Sequence, residues 1–310
     1  MSDLGGALVR GQSLASGGAL SGQAGLLGRI GRGVVRFVRL SPLGAVSVLI
    51  WALLVVMAVF APALAPYDPI ETDFAAVRSG PSAAHWLGTD NLGRDVLSRI
   101  IYGARITLIV SVSSVLIGDL LGFIWGIASG YWGGRVDLIS QRFVDVLMSF
   151  PALILALLLL AGLGAGLVTV IVAIAVTRIP VSTRITRSVV LSIKEMAYVD
   201  AARMTGARAW RIMAFHVAPQ CVAAILVVAT LHLGAAIFAE SALSFLGLGI
   251  PPPAPSWGNM LGGVLAASFK PPWWLVVFPG LAITIAIMAA NLMGDALRDF
   301  LDPKLKKRLE

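Results

Sequence analysis

The sequence predicts an all-α membrane protein with six transmembrane helices, and three observations carry that prediction. Of its residues 58% are hydrophobic and 13% charged, with a mean hydropathy of +0.89, far from a soluble domain of this length. Two stretches, 40–67 and 146–177, hold no charged residue at all, where a single span needs only about 20 apolar residues. The basic residues fall in clusters between apolar runs and form no single patch. The net charge of +8 therefore reads as membrane topology and gives no reason to expect nucleic acid.

Residues 1–33 are rich in Gly, Ser and Ala and cannot build a core, so they read as a disordered cytoplasmic tail. The stretch 34–67 holds the first transmembrane helix. Its Ala61-Pro62-Ala63 mimics a signal-peptidase site, but the apolar run outlasts a signal core of about 7–15 residues. Residues 68–104 are rich in acids and belong outside. Within them Val96, Leu97, Ile100 and Ile101 recur at helical spacing, which predicts an interfacial helix capped by Thr89 or Asp90 and leading into the second span.

The remaining core, 105–297, divides into spans at about 106–128, 143–161, 167–183, 222–245 and 275–292, with a loop at 184–219. Gly162-Leu163-Gly164-Ala165-Gly166 splits the long uncharged run into two helices. Trp257, Trp273 and Trp274 suit an aromatic belt at the outer interface. Residues 298–310 form a cytoplasmic C-terminus. Six spans place both termini and the 184–219 loop on one side. That side carries eighteen Arg and Lys, the other four, with Arg105 at the boundary. This is a positive-inside bias, and five or seven spans would put that loop or the basic C-terminus outside.

Chemistry-bearing constellations are absent. No Gly-Lys-Ser or Gly-Lys-Thr occurs, so the chain holds no nucleotide-binding P-loop. His85, His216 and His232 fall outside, inside and within a span, and the single Cys221 excludes an internal disulfide and a Cys-based cluster. We therefore expect no catalytic residue and no metal site. Four polar residues inside spans stand out: Asp119, Arg178, His232 and Glu240. A charge at a helix centre costs about 2.5–3.5 kcal/mol on insertion scales, so each needs a partner or a wet cavity. Asp119 and Arg178 lie at similar depth, which predicts a contact between them. His232 reads as an interhelical donor. Glu240 reads either as a bond to a neighbouring helix or as a group lining a path for an amine.

The long charged segment between spans, 194–219, reads as two short helices hinged at Gly206, over 194–205 and 207–216. Ala201 and Ala202 leave a flat surface before the hinge. Arg203, Arg208 and Arg211 make it basic, and Pro219 opens the next span. Physics alone equally allows a solvated loop between membrane helices.

Asp200-Ala201-Ala202, then Gly206, then His216-Val217-Ala218-Pro219 resembles the "EAA" loop of binding-protein-dependent ABC importer permeases. Asp200 stands where that family usually has Glu, and Ala218 where it usually has Leu. The segment His85-Trp86-Leu87-Gly88-Thr89-Asp90-Asn91-Leu92-Gly93-Arg94-Asp95 resembles the dipeptide, oligopeptide and nickel branch. So do Gly130 to Asp137, Asp145 to Pro151, Ala239 to Gly249, Pro255 to Met260 and Gly294 to Asp299. The likeness runs from His85 to Lys304; the first ~80 residues share only the single span.

The resemblance implies a type I ABC importer permease fold with a cytoplasmic coupling helix. Asp200, Ala201, Ala202, Arg203, Gly206, Arg208, His216 and Pro219 would seat it in an ATPase. It implies the C-type permease of a bacterial inner-membrane importer of di- or oligopeptides, not an enzyme itself. The implied partners are a B-type permease, two ABC ATPases holding ATP and Mg, an extracytoplasmic solute-binding protein, and membrane lipid. A nickel or glutathione importer is the alternative within the family. An ion-coupled secondary transporter is the alternative from another class, and it calls for broken helices or an inverted repeat around intramembrane acids.

Overall fold

The computed structural model describes residues 41–301. The expected tail over 1–33 and most of 298–310 lie outside the described residues. Most of those described are helical, and no named strand occurs among them. The helices are α1 (Pro42–Val59), α2 (Ala61–Leu64), α3 (Val96–Trp132), α4 (Gly134–Met148), α5 (Ala152–Leu163), α6 (Leu167–Ile193), α7 (Ala197–Met204), α8 (Ala209–Ile212), α9 (Ala218–Phe245), α10 (Trp257–Ala267) and α11 (Trp273–Leu301).

Five helical stretches are long and apolar enough to cross a membrane: α1, α3, α6, Ala209–Phe245 and α11 up to Phe300. A bent pair brings the count to six when it is taken as one span. The single helix expected over 143–161 is instead α4 and α5, which meet at 88°. Ser149-Phe150-Pro151 explains the break. Pro151 gives no N–H and restricts Phe150, while the Ser149 N–H closes α4 on the carbonyl of Asp145. With 12 residues, α5 is about 18 Å long and cannot cross alone.

Three further expectations shift. No separate interfacial helix precedes the second span, because Val96 opens one continuous helix of 37 residues. Its cap is Asp95, whose carboxylate accepts from the Ser98 N–H at 2.8 Å, and neither Thr89 nor Asp90 serves. Helix α6 does not stop near 183 but runs to Ile193, through a buried Pro180. The stretch before Pro272 also carries its own helix, α10, opened by a reciprocal Ser256–Asn259 capping box.

The core is built on α3 against α6, the most extensive helix pair among the described residues. Gly118, Gly122, Gly126 and Gly130 recur every fourth residue on α3 and let the two backbones touch. A Cβ on Gly122 would lie 2.6 Å from the Cβ of Ser182 and 2.7 Å from the Ile179 carbonyl oxygen. One on Gly126 would lie 2.6 Å from the Thr183 carbonyl oxygen. Such small-residue seams replace the hydrophobic driving force that lipid cannot supply. Helices α9 and α11 pack on this pair.

The stretch before α3 is held by polar side chains. The Thr89 hydroxyl accepts from the Ser79 N–H at 2.9 Å and donates to the Ala76 carbonyl. Asp95 also pairs with His85 at 3.0 Å. The Trp274 indole donates to the Thr89 carbonyl at 3.3 Å, and the fully buried Trp257 donates to the Ile100 carbonyl at 3.0 Å.

Candidate functional site

The chain between α6 and α9 forms a compact elbow. Helix α7 starts at Ala197, three residues later than expected, and ends in a left-handed turn at Gly206, with φ of 78°. There the Ala207 N–H returns to the Ala202 carbonyl at 3.1 Å, and the Gly206 N–H to the Arg203 carbonyl at 2.9 Å. This is a Schellman closure, and only glycine enters it without strain. Nothing lies within 4 Å of where a Gly206 Cβ would sit, so backbone angle and not crowding sets the requirement.

After the turn come α8 and a wider turn of π type over Met213–Val217, where the Ala218 N–H reaches the Met213 carbonyl. Pro219, in the first turn of α9, has no N–H for the usual acceptor four residues back, and the wider turn absorbs that loss.

The elbow has an inner and an outer side. Val199, Ile212, Val217 and Cys221 are buried with Ile127, Val190 and Ile193, and Ala202 packs against them half-buried. The outer side presents Ala201, Met204, Trp210 and Phe215; Met204 is 90% and Phe215 67% exposed. Asp200 and Arg203 pair at 3.0 Å on that side, and Arg208 is exposed too. His216 is half-buried, and its Nδ1 is buried without a hydrogen-bond partner.

Reading the sequence missed what anchors this elbow. The Arg203 guanidinium lies 5.5 Å over the Tyr131 ring. Tyr131, and after it Asp200, hold that guanidinium above its ordinary pKa. Arg187, near the end of α6, grips Asp137 of α4 with two hydrogen bonds, and Ser129 donates to the same carboxylate. Lys194 donates to the Gly130 carbonyl at 3.3 Å. The signal was present as aromatic and charged residues flanking the spans, but the pairing depends on how α3, α4 and α6 converge.

Inside the spans the polar residues assemble differently from expectation. No hydrogen bond or ion pair joins Asp119 to Arg178. Asp119 instead accepts from the Ser182 hydroxyl at 2.6 Å and meets His232 Nδ1 at 2.7 Å. The small-residue seam explains this. It brings Ser182 of α6 directly onto α3, while Arg178 turns toward α9 and donates to the Ala235 carbonyl at 3.2 Å. His232 thus bonds across helices, as expected. Glu240 is fully buried, accepting from Thr107 at 3.2 Å and Ser244 at 2.8 Å. It ties α9 to α3.

Residues 122–307 match the binding-protein-dependent transport system inner membrane component family. The chain belongs to that family. It is accordingly a multi-pass helical membrane component. Residues 32–81 match the N-terminal transmembrane domain of oligopeptide transport permease C, so the likeness reaches the first span more closely than its apolar character suggested.

Among its relatives, this permease is 43% identical to the glutathione transport system permease protein GsiD of Pectobacterium atrosepticum, over 82% of this chain and 84% of that one. It is 43% identical to the di/tripeptide transport system permease protein DppC of Pseudomonas aeruginosa, over 85% and 89%. With the dipeptide transport system permease protein DppC of Bacillus subtilis it shares 44%, over 88% and 85%. A chain of the MetNI methionine ABC transporter, solved in inward-facing conformations, superposes with a TM-score of 0.55. It covers 66% of this chain and 97% of its own at 17% identity, a likeness of fold.

Proposed function

We propose that this permease is the C-type half of the pore of an ATP-driven importer of di- or oligopeptides. It sits in the bacterial cytoplasmic membrane with both termini inside. A B-type permease completes the pore, two ABC ATPases holding ATP and Mg drive it, and an extracytoplasmic solute-binding protein delivers cargo. The elbow at 194–219 seats in the ATPase and transmits its closure as alternating access.

The observation that carries this reading is the outer side of the elbow. Met204, Trp210 and Phe215 stand exposed beside Asp200, Arg203 and Arg208, on a scaffold locked by the Gly206 turn and by buried packing beneath. Exposed apolar groups rimmed by charge mark a surface made for a protein partner. Its location in the most basic inter-span loop supports a cytoplasmic one.

The test is Ala201→Trp in the assembled transporter. Ala201 is exposed, whereas Ala202 packs inward, so a bulky residue at 201 obstructs docking without disturbing the core. Receptor-dependent peptide uptake falls at least about tenfold while the permease still inserts. Normal uptake in that variant would refute the docking role. A second reading, glutathione import, is favoured by the GsiD relative at the same identity as the di/tripeptide one. Competition between labelled dipeptide and glutathione for uptake separates the two.

A further inference from the structure

A cleft of about 270 Å³ opens between the stretch before α3, helix α10 and the start of α11. Arg94, Arg99 and Asn259 line it together with the apolar Met260, Val264 and Leu275. Asp90 also lines it, and it is shared. Arg94 reaches its Oδ2 at 2.8 Å and Arg99 Nε lies 3.5 Å from the same oxygen. Two guanidiniums therefore meet one carboxylate, and the cleft keeps one positive charge uncompensated.

Arg99 is only 4% exposed. Its Nη1 donates to the Pro69 carbonyl at 2.8 Å, but its Nε is buried without a hydrogen-bond partner. A guanidinium buried with only a share of one carboxylate, 3.5 Å from its Nε, has a large desolvation penalty, which a second anion in the cleft would offset. Arg94, partly accessible, faces the same space.

The surroundings fix the chemical class. Trp274 packs on Met260, Val264 and Leu275, and Trp273, 58% exposed, meets it edge-on. Such aromatics mark the headgroup level of a bilayer. A ligand suited to this place has a singly charged anionic group for the arginines and an apolar body for the apolar lining. From this the geometry points to a binding site for the phosphate of an anionic phospholipid, with its glycerol and first acyl carbons against Met260, Val264 and Leu275. Basic pockets beside transmembrane helices take such headgroups by the same chemistry.

Gly263 supplies the test. It lines the cleft, and nothing lies within 4 Å of where its Cβ would sit, so a side chain enters open space. Gly263→Asp puts a tethered carboxylate in the cleft; Gly263→Ala does not. The full chain is purified from nanodiscs of phosphatidylglycerol mixed with phosphatidylcholine, and retained lipid is counted by native mass spectrometry. Inorganic phosphate binding is measured in parallel. Wild type and Gly263→Ala retain phosphatidylglycerol over phosphatidylcholine by about tenfold, and Gly263→Asp loses that preference. Arg94→Gln shows the same loss and stands in should Gly263→Asp fail to fold. Equal retention of both lipids by wild type, with no phosphate bound, overturns the site. Variant-sensitive binding of inorganic phosphate without lipid preference keeps the anion site and overturns its lipid occupant.

Discussion

Replacing Gly122 by alanine tests the seam on which the fold rests. The added Cβ would sit 2.6 Å from the Cβ of Ser182 and 2.7 Å from the Ile179 carbonyl oxygen. An ordinary contact begins at 3.4 Å, so α3 and α6 must part by about 0.8 Å at this point. A gap of that size forfeits a quarter to a half of each dispersion contact it opens. Neither close atom can rotate aside, because one is backbone and the other is bonded to it. Over-packing of this kind costs about 1–3 kcal/mol, and we expect the upper end, about 3 kcal/mol. The shift also pulls Ser182 from Asp119. The control is Gly280→Ala, whose Cβ meets nothing within 4 Å and which is expected to be neutral or stabilising by under about 1 kcal/mol. Equilibrium unfolding of the full chain in mixed detergent, followed by tryptophan fluorescence, measures both. If Gly122→Ala falls within about 0.5 kcal/mol of Gly280→Ala, the close approach of the helices is wrong.

Two other substitutions probe the elbow and the buried cluster. Gly206→Ala meets only backbone strain, about 1–2 kcal/mol, and should leave membrane insertion intact with weakened uptake. Gly206→Pro, whose ring fixes φ near −65° against the observed 78°, should abolish receptor-stimulated ATP hydrolysis in the assembled transporter; wild-type stimulation would remove the role of the turn. In the cluster, a double-mutant cycle on unfolding should give Asp119→Asn and His232→Gln a coupling of about 1 kcal/mol or more. Asp119→Asn with Arg178→Leu should couple more weakly, and the reverse order would mean that Arg178 is the true partner.

Much of this architecture was legible in the chain because hydropathy and charge report directly on a membrane. The uncharged run 146–177 needed two helices, and the glycines at 162–166 marked where they part. The hinge at Gly206 was equally visible, since a lone glycine after a helical run is the usual site of a left-handed close. What composition could not give was continuity. Pro151 broke a span while Pro180 did not, and the second lies buried inside the continuous helix α6. Pairing was hidden for a related reason. Asp119 and Arg178 matched in depth, but depth says nothing of rotation about the helix axis. The glycine seam on α3 set that rotation and delivered Asp119 to Ser182 and His232.

The central claim is that the elbow carrying Met204 faces the cell interior and is covered by a separate ATPase. The native chain offers one thiol, Cys221, only 1% exposed, so Met204→Cys adds a single accessible one. A membrane-impermeant maleimide should leave this variant unlabelled in intact cells. It should label it in inverted membrane vesicles, and more slowly when the ATPases are assembled on it. Labelling from outside intact cells, or equal labelling with and without the ATPases, would contradict the account.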